Sequence, residues 1–168
     1  MIISIIYLIL SFILDNFMSN LFPSTLSSVS YFTTIYIVIS FVIIYPYFTN
    51  EKKYYMLLMI FGLLFDIIYT STFILNMILF GVIGLVIKLL NNIFPENVFT
   101  TNLISVIVIS LYHILSFVIL SLVSGIDYGF MLLVNIIVRS VVATVIYTVI
   151  SYYGMKFIYG RFNVKQIK

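Results

Sequence analysis

Residues 58–88 read LMIFGLLFDIIYTSTFILNMILFGVIGLVIK. Two apolar runs flank the polar turn Thr70-Ser71-Thr72, and Asp66 lies about one helical turn before it. A helix needs about 20 predominantly apolar residues to cross a bilayer, and the two runs extend beyond this stretch, over residues 54–69 and 73–94. The stretch therefore predicts a helical hairpin embedded in a membrane.

The composition extends this interpretation to the whole chain. Of its 168 residues, 64% are hydrophobic and 8% are charged, and the mean hydropathy is +1.27. Water-soluble domains carry about 45–50% apolar and about 25% charged residues. The composition thus excludes a cytosolic enzyme, a nucleic-acid-binding module and a disordered chain, and it predicts an integral membrane protein.

Six apolar stretches can be counted along the chain, separated by short polar breaks. They predict an all-α fold, a bundle of six transmembrane helices that forms a single domain over residues 1–168. The predicted spans are residues 2–22, 29–48, 54–69, 73–94, 101–124 and 130–157. Pro46 is expected to kink or end the second span, because proline breaks the helical hydrogen-bond pattern.

The cationic residues predict the orientation of the bundle. With six spans, seven of them fall on one side: Lys52, Lys53, Lys88, Lys156, Arg161, Lys165 and Lys168. The opposite loops, at 23–28, 70–72 and 125–129, contain no lysine or arginine. The positive-inside rule then predicts cytoplasmic termini, with the basic residues at anionic lipid headgroups.

Charged side chains inside the spans are the first candidates for a functional site, since an unpaired charge in lipid is unfavourable. We expect Arg139 to pair with Asp66, with Asp15 as the alternative. The pair either fixes the packing register of the helices or contributes to binding a ligand or partner. Asn76 and Asn135 are further candidates for a buried polar cluster in the outer half of the bundle.

Uncharged residues in the spans suggest packing roles. His113 lies near the middle of the fifth span, and we expect a neutral core histidine that is hydrogen-bonded to a Ser or Tyr across a helix interface. Small residues allow close helix approach in membranes, so Gly62, Gly81 and Gly84 are predicted packing positions.

Searches for an active site in the sequence find none. There is no G-x-S-x-G nucleophile motif, no Walker motif and no glycine pattern for a dinucleotide. One histidine and no cysteine cannot build a zinc site. We therefore expect a protein that is not an enzyme, with no catalytic residues, no metal and no cofactor.

Residues 58–88 resemble the family of the rod shape-determining protein MreD. The family pattern has Gly-x-x-x-Asp at the end of one span, a short turn, a polar residue ten positions after the Asp, and a glycine-containing span. The matching positions here are Gly62, Asp66, Thr70, Asn76, Gly81 and Gly84. Ile74 departs from the pattern, because the family often has glycine there, and Arg139 resembles an arginine of the family's last span.

The resemblance implies a regulator of the bacterial cell elongation (rod) complex in the plasma membrane. Its implied partners are the single-span protein MreC, the glycosyltransferase RodA, a class B penicillin-binding protein and, indirectly, MreB; no nucleic acid is implied. The family fold is similar to the S-components of energy-coupling-factor transporters. The alternative function is therefore a substrate-binding S-component of a vitamin transporter, although the first span lacks the small-x-x-x-small motif of those proteins.

Overall fold

The computed structural model describes residues 2–22, 34–69, 74–124 and 129–161, and the regular elements within these ranges are helices. They are α1 (Ile2–Leu21), α2 (Tyr36–Ile44), α3 (Glu51–Tyr69), α4 (Leu75–Ile93), α5 (Val98–Ser124) and α6 (Phe130–Arg161). A single 3-10 turn, Tyr45–Tyr47, follows α2. The predicted all-α fold is confirmed.

Four of these helices are long and apolar enough to cross a membrane, namely α1, α4, α5 and α6. In the second predicted span, α2 and its 3-10 turn cover Tyr36–Tyr47, and residues 29–33 of that span lie outside the described residues. Pro46 lies in that turn, so the prediction that it ends the second helix is confirmed. α3 begins with Glu51, Lys52 and Lys53, which reduces its apolar length. The chain is a multi-pass membrane protein.

The centre of the bundle is α2, in which all nine residues are buried. A helix that is apolar on every side is stable only when other elements surround it. α1, α4, α5 and α6 each contact α2, while α3 packs mainly on α4 and α6 packs on α5. Aromatic rings of neighbouring helices meet around Phe41, whose ring contacts Tyr54, Phe61 and Phe80.

The N-termini of α2, α3, α4 and α5 fall into two classes. Asn50 Oδ1 accepts the Lys53 N–H (3.4 Å) at the start of α3, and Asn97 Oδ1 accepts the Thr100 N–H (2.9 Å) at the start of α5. By contrast, Ile35 and Ile74 precede α2 and α4 and provide no side-chain cap. The first N–H groups of a helix have no partner within the helix, so those of α2 and α4 need acceptors from elsewhere in the protein.

Candidate functional site: two carboxylates at helix N-termini

Asp66 supplies the missing acceptors for α4. Its side chain is 2% exposed and extends from α3 to the first turn of α4. Oδ1 accepts the Asn76 N–H (3.0 Å) and the Asn76 side-chain amide (2.9 Å), and Oδ2 accepts the Met77 N–H (3.1 Å). Asp66 thus acts as the N-cap of a helix to which it does not belong, and its negative charge faces the positive end of the α4 dipole.

The Asp66 cluster continues into α5. The hydroxyl of Tyr112 donates a hydrogen bond to Asn76 Oδ1. Asn76 is 1% exposed and Tyr112 is 6% exposed, so this chain of contacts lies inside the protein. One carboxylate therefore links α3, α4 and α5 through hydrogen bonds that fix how the three helices pack.

The backbones of α3 and α4 approach each other closely at Gly62. A Cβ atom built on Gly62 would lie 2.7 Å from Met77 Cα and 2.8 Å from Asn76 O, closer than real Cβ atoms come to backbone. Gly84 packs against the side chains of Leu58 and Tyr55 at the same interface. For Gly81 the structure shows no such close approach, since a Cβ there would meet nothing within 4 Å among the described residues. Gly81 lies on a different side of α4.

Ile74, the residue before α4, adopts a left-handed conformation with φ 67° and ψ −4°. Such a conformation is an outlier for a β-branched residue, because Cβ comes too close to the backbone, whereas glycine adopts it freely. The resemblance singled out this position as one where glycine is common. The structure gives a physical reason for a glycine at this point of the turn.

Asp15 plays the corresponding role for α2. It lies in α1 and is 8% exposed. Oδ1 accepts the Tyr36 N–H (2.7 Å) and Oδ2 accepts the Ile37 N–H (3.0 Å), so the carboxylate caps the first turn of the central helix. The carboxylate thereby supplies acceptors to the buried end of α2.

About one helical turn before Asp15 on α1, three hydroxyl groups form a triangle between α1, α2 and α6. Ser40 Oγ donates to Ser11 Oγ (2.7 Å), and the Tyr147 hydroxyl lies 2.8 Å from Ser11 Oγ and 2.9 Å from Ser40 Oγ. Ser11 Oγ also donates to the Tyr7 carbonyl (2.8 Å), so within the triangle Ser11 Oγ acts as an acceptor. Towards the other end of α1, Ser4 and Tyr159 form a second contact between α1 and α6, at 2.6 Å.

The predicted pair between Arg139 and Asp66 is not confirmed. Asp66 and Asp15 each accept hydrogen bonds at a helix N-terminus, Asp66 has further interactions, and the ion pair formed between described residues joins Lys88 and Glu51 at 2.7 Å. Arg139 is partly buried and has interactions of its own. The expectation of a buried Asn135 is wrong, because this residue faces the outside of α6. Its place in the same helical row as Ala143 did not predict its burial.

His113 differs from the prediction in its hydrogen bonding. Its Nε2 atom is buried and has no hydrogen-bond partner in the described part of the chain, and its ring lies edge-on to that of Tyr112. Other polar atoms of α5 share this property: Asn102 Oδ1, Ser105 Oγ, Ser116 Oγ and Ser121 Oγ. Within the described ranges, no three His, Asp or Glu side chains come together as metal ligands would.

The sequence did not predict the capping role of Asp15 and Asp66, because both were interpreted as partners for a cation. The sequence contains one signal for this role. An aspartate lies in the second half of one helix, and the residue directly before the next helix is not Ser, Asp or Asn. Ile35 and Ile74 occupy those starting positions.

Comparisons with models of known protein families, with curated proteins and with solved structures gave no match to this chain.

Proposed function

We propose that this chain is a non-catalytic membrane scaffold of the bacterial cell elongation complex, related to MreD. In this role it lies in the plasma membrane with six membrane-crossing segments and both termini in the cytoplasm. It regulates cell shape and peptidoglycan synthesis by binding MreC, RodA and a class B penicillin-binding protein, with MreB as an indirect partner.

The observation that carries the proposal is the role of the motif residues at the α3–α4 junction. Gly62 allows the close backbone approach, Asp66 caps α4, and Asn76 connects this cap to Tyr112. The left-handed Ile74 stands where the family often has glycine. The residues that carry the resemblance thus share one architectural task, and this supports membership of a family with that motif.

The same contacts favour a scaffold over a substrate-binding component. Asp66 and Asn76 are almost completely buried, and among the described residues they bond to the first turn of α4 and to Tyr112. Asn135, a candidate pocket residue, faces the outside of the bundle. Side chains with these contacts hold helices together, and a scaffold acts through the surface of such a rigid bundle.

The proposal keeps six membrane segments, one for each of the helices α1 to α6. The short α2 with its 3-10 turn and the charged start of α3 are then the two segments that cross with help from the surrounding helices. Glu51, at the start of α3, pairs with Lys88, near the end of α4, so both lie at one end of the bundle. This arrangement supports placing the lysine-rich loop and Lys88 on the same, cytoplasmic side.

The experiment is an affinity purification of the tagged chain from mild detergent, followed by mass spectrometry of proteins and small molecules. Recovery of MreC or RodA without a stoichiometric vitamin is the expected result. A tightly bound vitamin together with transporter ATPase subunits would overturn the proposal in favour of an S-component. A tagged, unrelated multi-pass protein of similar size serves as the control for nonspecific recovery.

A further inference from the structure

Acidic, aromatic and basic side chains from three segments come together at one end of the bundle. Glu96 lies between α4 and α5, Tyr47 in the 3-10 turn after α2, and Tyr152 in the last third of α6. The Glu96 carboxylate interacts electrostatically with both tyrosines. The Nζ atom of Lys156 lies 6.0 Å from the centre of the Tyr152 ring. We call Glu96, Tyr47, Tyr152 and Lys156 the boundary cluster.

The two opposite charges of the boundary cluster do not neutralise each other. Glu96 and Lys156 are both exposed, and the ion pair formed between described residues joins Lys88 and Glu51 instead. Lys156 would repel a ligand that is only cationic, and Glu96 would repel a ligand that is only anionic. The boundary cluster is therefore complementary to a zwitterion, a molecule that carries both charges.

An apolar groove of about 560 Å³ lies beside the boundary cluster, between α5 and α6. Six of its seven lining residues are apolar, which suits a hydrocarbon chain. The groove begins at Val98, two residues after Glu96, and includes Val145 of α6. Because Val145 and Tyr152 are seven residues apart, about two helical turns, they lie on the same face of α6. Charged groups and an apolar groove in this order are the pattern of an amphiphile.

We propose that the boundary cluster and the groove bind one phospholipid whose headgroup carries a phosphate and a primary ammonium, as in phosphatidylethanolamine. Glu96 accepts hydrogen bonds from the ammonium, Lys156 pairs with the phosphate, and one acyl chain lies in the groove. Tyrosines are typical of this depth, where the ring contacts lipid and the hydroxyl contacts headgroups. The inference goes beyond the proposed function, because it requires none of the proposed protein partners.

The surroundings of the tyrosine rings favour a primary ammonium over the trimethylammonium of a choline headgroup. A trimethylammonium has no N–H group for Glu96 and binds mainly to the faces of aromatic rings. One face of the Tyr47 ring is covered by Tyr159, which stacks on it at 4.0 Å, and Lys156 lies over the Tyr152 ring. The Glu96 carboxylate is then the main group for the cation, and N–H donors bond strongly to it.

The test measures which lipid the purified protein retains. Delipidated protein in detergent is mixed with equal amounts of phosphatidylethanolamine, phosphatidylcholine and phosphatidylglycerol that have identical acyl chains, and native mass spectrometry identifies the bound lipid. Phosphatidylethanolamine should be retained most. Equal retention of all three lipids, or a preference for phosphatidylglycerol, would overturn the inference. It would also be overturned by a polypeptide from native membranes that displaces phosphatidylethanolamine from the wild type and no longer binds to Glu96→Gln.

Substitutions of the two charged residues test the headgroup contacts. Glu96→Gln should lower the retention of phosphatidylethanolamine by about 2-fold to 5-fold, the effect of an ion pair at a surface. Glu51→Gln, which alters the acid that pairs with Lys88, is the matched control and should retain the lipid as the wild type does. Lys156→Gln should lower the retention of phosphatidylethanolamine and phosphatidylglycerol alike, whereas Lys52→Gln, at another exposed lysine, should not.

A bulky residue in the groove tests the site of the acyl chain. Leu103→Trp should lower the retention of all three lipids, because the larger side chain occupies the groove. Ile13→Trp, at an exposed position of α1, is the control and should have no such effect. Helical circular dichroism and a single elution peak in detergent identify the variants that fold. Unchanged lipid retention in folded Glu96→Gln and Leu103→Trp proteins would contradict the assigned contacts.

Discussion

Two clusters of polar side chains provide acceptors for a helix N-terminus through different contacts. They are the Asp66 cluster (Asp66, Asn76 and Tyr112) and the Asp15 cluster (Asp15, Ser11, Ser40 and Tyr147). Each carboxylate lies on one helix and caps the next, and each cluster includes a tyrosine hydroxyl from a third helix. Asp66 accepts three hydrogen bonds from α4, while Asp15 accepts two from α2. The comparison teaches that each of these two buried carboxylates serves as an acceptor for the N-terminus of a neighbouring helix.

The largest expected effect separates the two carboxylates. Asp66→Ala leaves three donors without an acceptor, and each buried unsatisfied donor costs about 1–3 kcal/mol. We expect a loss of about 4 kcal/mol in the free energy of unfolding for Asp66→Ala and about 3 kcal/mol for Asp15→Ala. Denaturant unfolding in detergent micelles, followed by circular dichroism, measures both.

A smaller loss for Asp66→Ala than for Asp15→Ala would contradict the account based on the number of donors. Asp66→Asn sharpens the test, because its carbonyl keeps one acceptor and its amide adds a donor. The free energy of unfolding of Asp66→Asn should lie between those of the wild type and of Asp66→Ala.

The two clusters also differ in the residues beside the carboxylate. The contact between α1 and α2 near Asp15 contains serines, whereas the contact between α3 and α4 near Asp66 contains Gly62. Gly62→Ala places a methyl group against the backbone of Asn76 and Met77, and overpacking of this kind costs about 1–3 kcal/mol. Gly81→Ala is the matched control on α4. It should be neutral or stabilising by up to about 1 kcal/mol, as alanine favours helix over glycine. Equal thermal stability of the two variants would show that α3 and α4 are not in close contact at Gly62.

The two tyrosines should differ by less. Tyr112→Phe removes a hydroxyl that donates to Asn76, and the loss should be about 1 kcal/mol. Tyr147→Phe leaves Ser11 and Ser40 bonded to each other, so we expect about 0.6 kcal/mol, a typical value for a hydrogen bond between membrane helices. Thermal unfolding in detergent compares them, and a greater loss for Tyr147→Phe would reverse the ranking of the clusters.

The smallest expected effect is an increase in stability rather than a loss. Ile74→Gly removes the left-handed strain of about 1–2 kcal/mol, and the greater freedom of glycine in the unfolded chain offsets part of this gain. We expect a net stabilisation of about 0.5 kcal/mol. Ile78→Gly, in the first turns of α4 at an exposed position, is the control and should destabilise. A destabilised Ile74→Gly protein would argue against the positive φ at this turn.

The sequence predicted the fold class well because hydrophobic length is a property of the chain alone. The spans that begin at residues 2 and 130 match α1 and α6 closely at their N-terminal ends. The sequence did not predict that protein surrounds the second span, since an apolar run gives the same signal whether lipid or protein surrounds it. Only the packed structure distinguishes the fully buried α2 from a helix in contact with lipid.

The candidate site was predicted in its residues more than in its contacts. Asp66, Asn76 and Gly62 were singled out, and they do meet at one junction. The partner expected for Asp66 was a cation, because the unfavourable charge was evident from the sequence while the nearby helix N-terminus was not. Asn135 was misplaced because a helical row shows which residues align and not which row faces the core.

The buried position of α2 constrains the order in which the protein is made. Its Ser40 contacts Tyr147 of α6, a residue that leaves the ribosome more than a hundred positions later. Until α6 is made, α2 has its cap from Asp15 but lacks the contacts with α6. During synthesis the growing chain must hold this short segment beside α1, at the insertion machinery or the bilayer surface, and the arrival of the last helix encloses it.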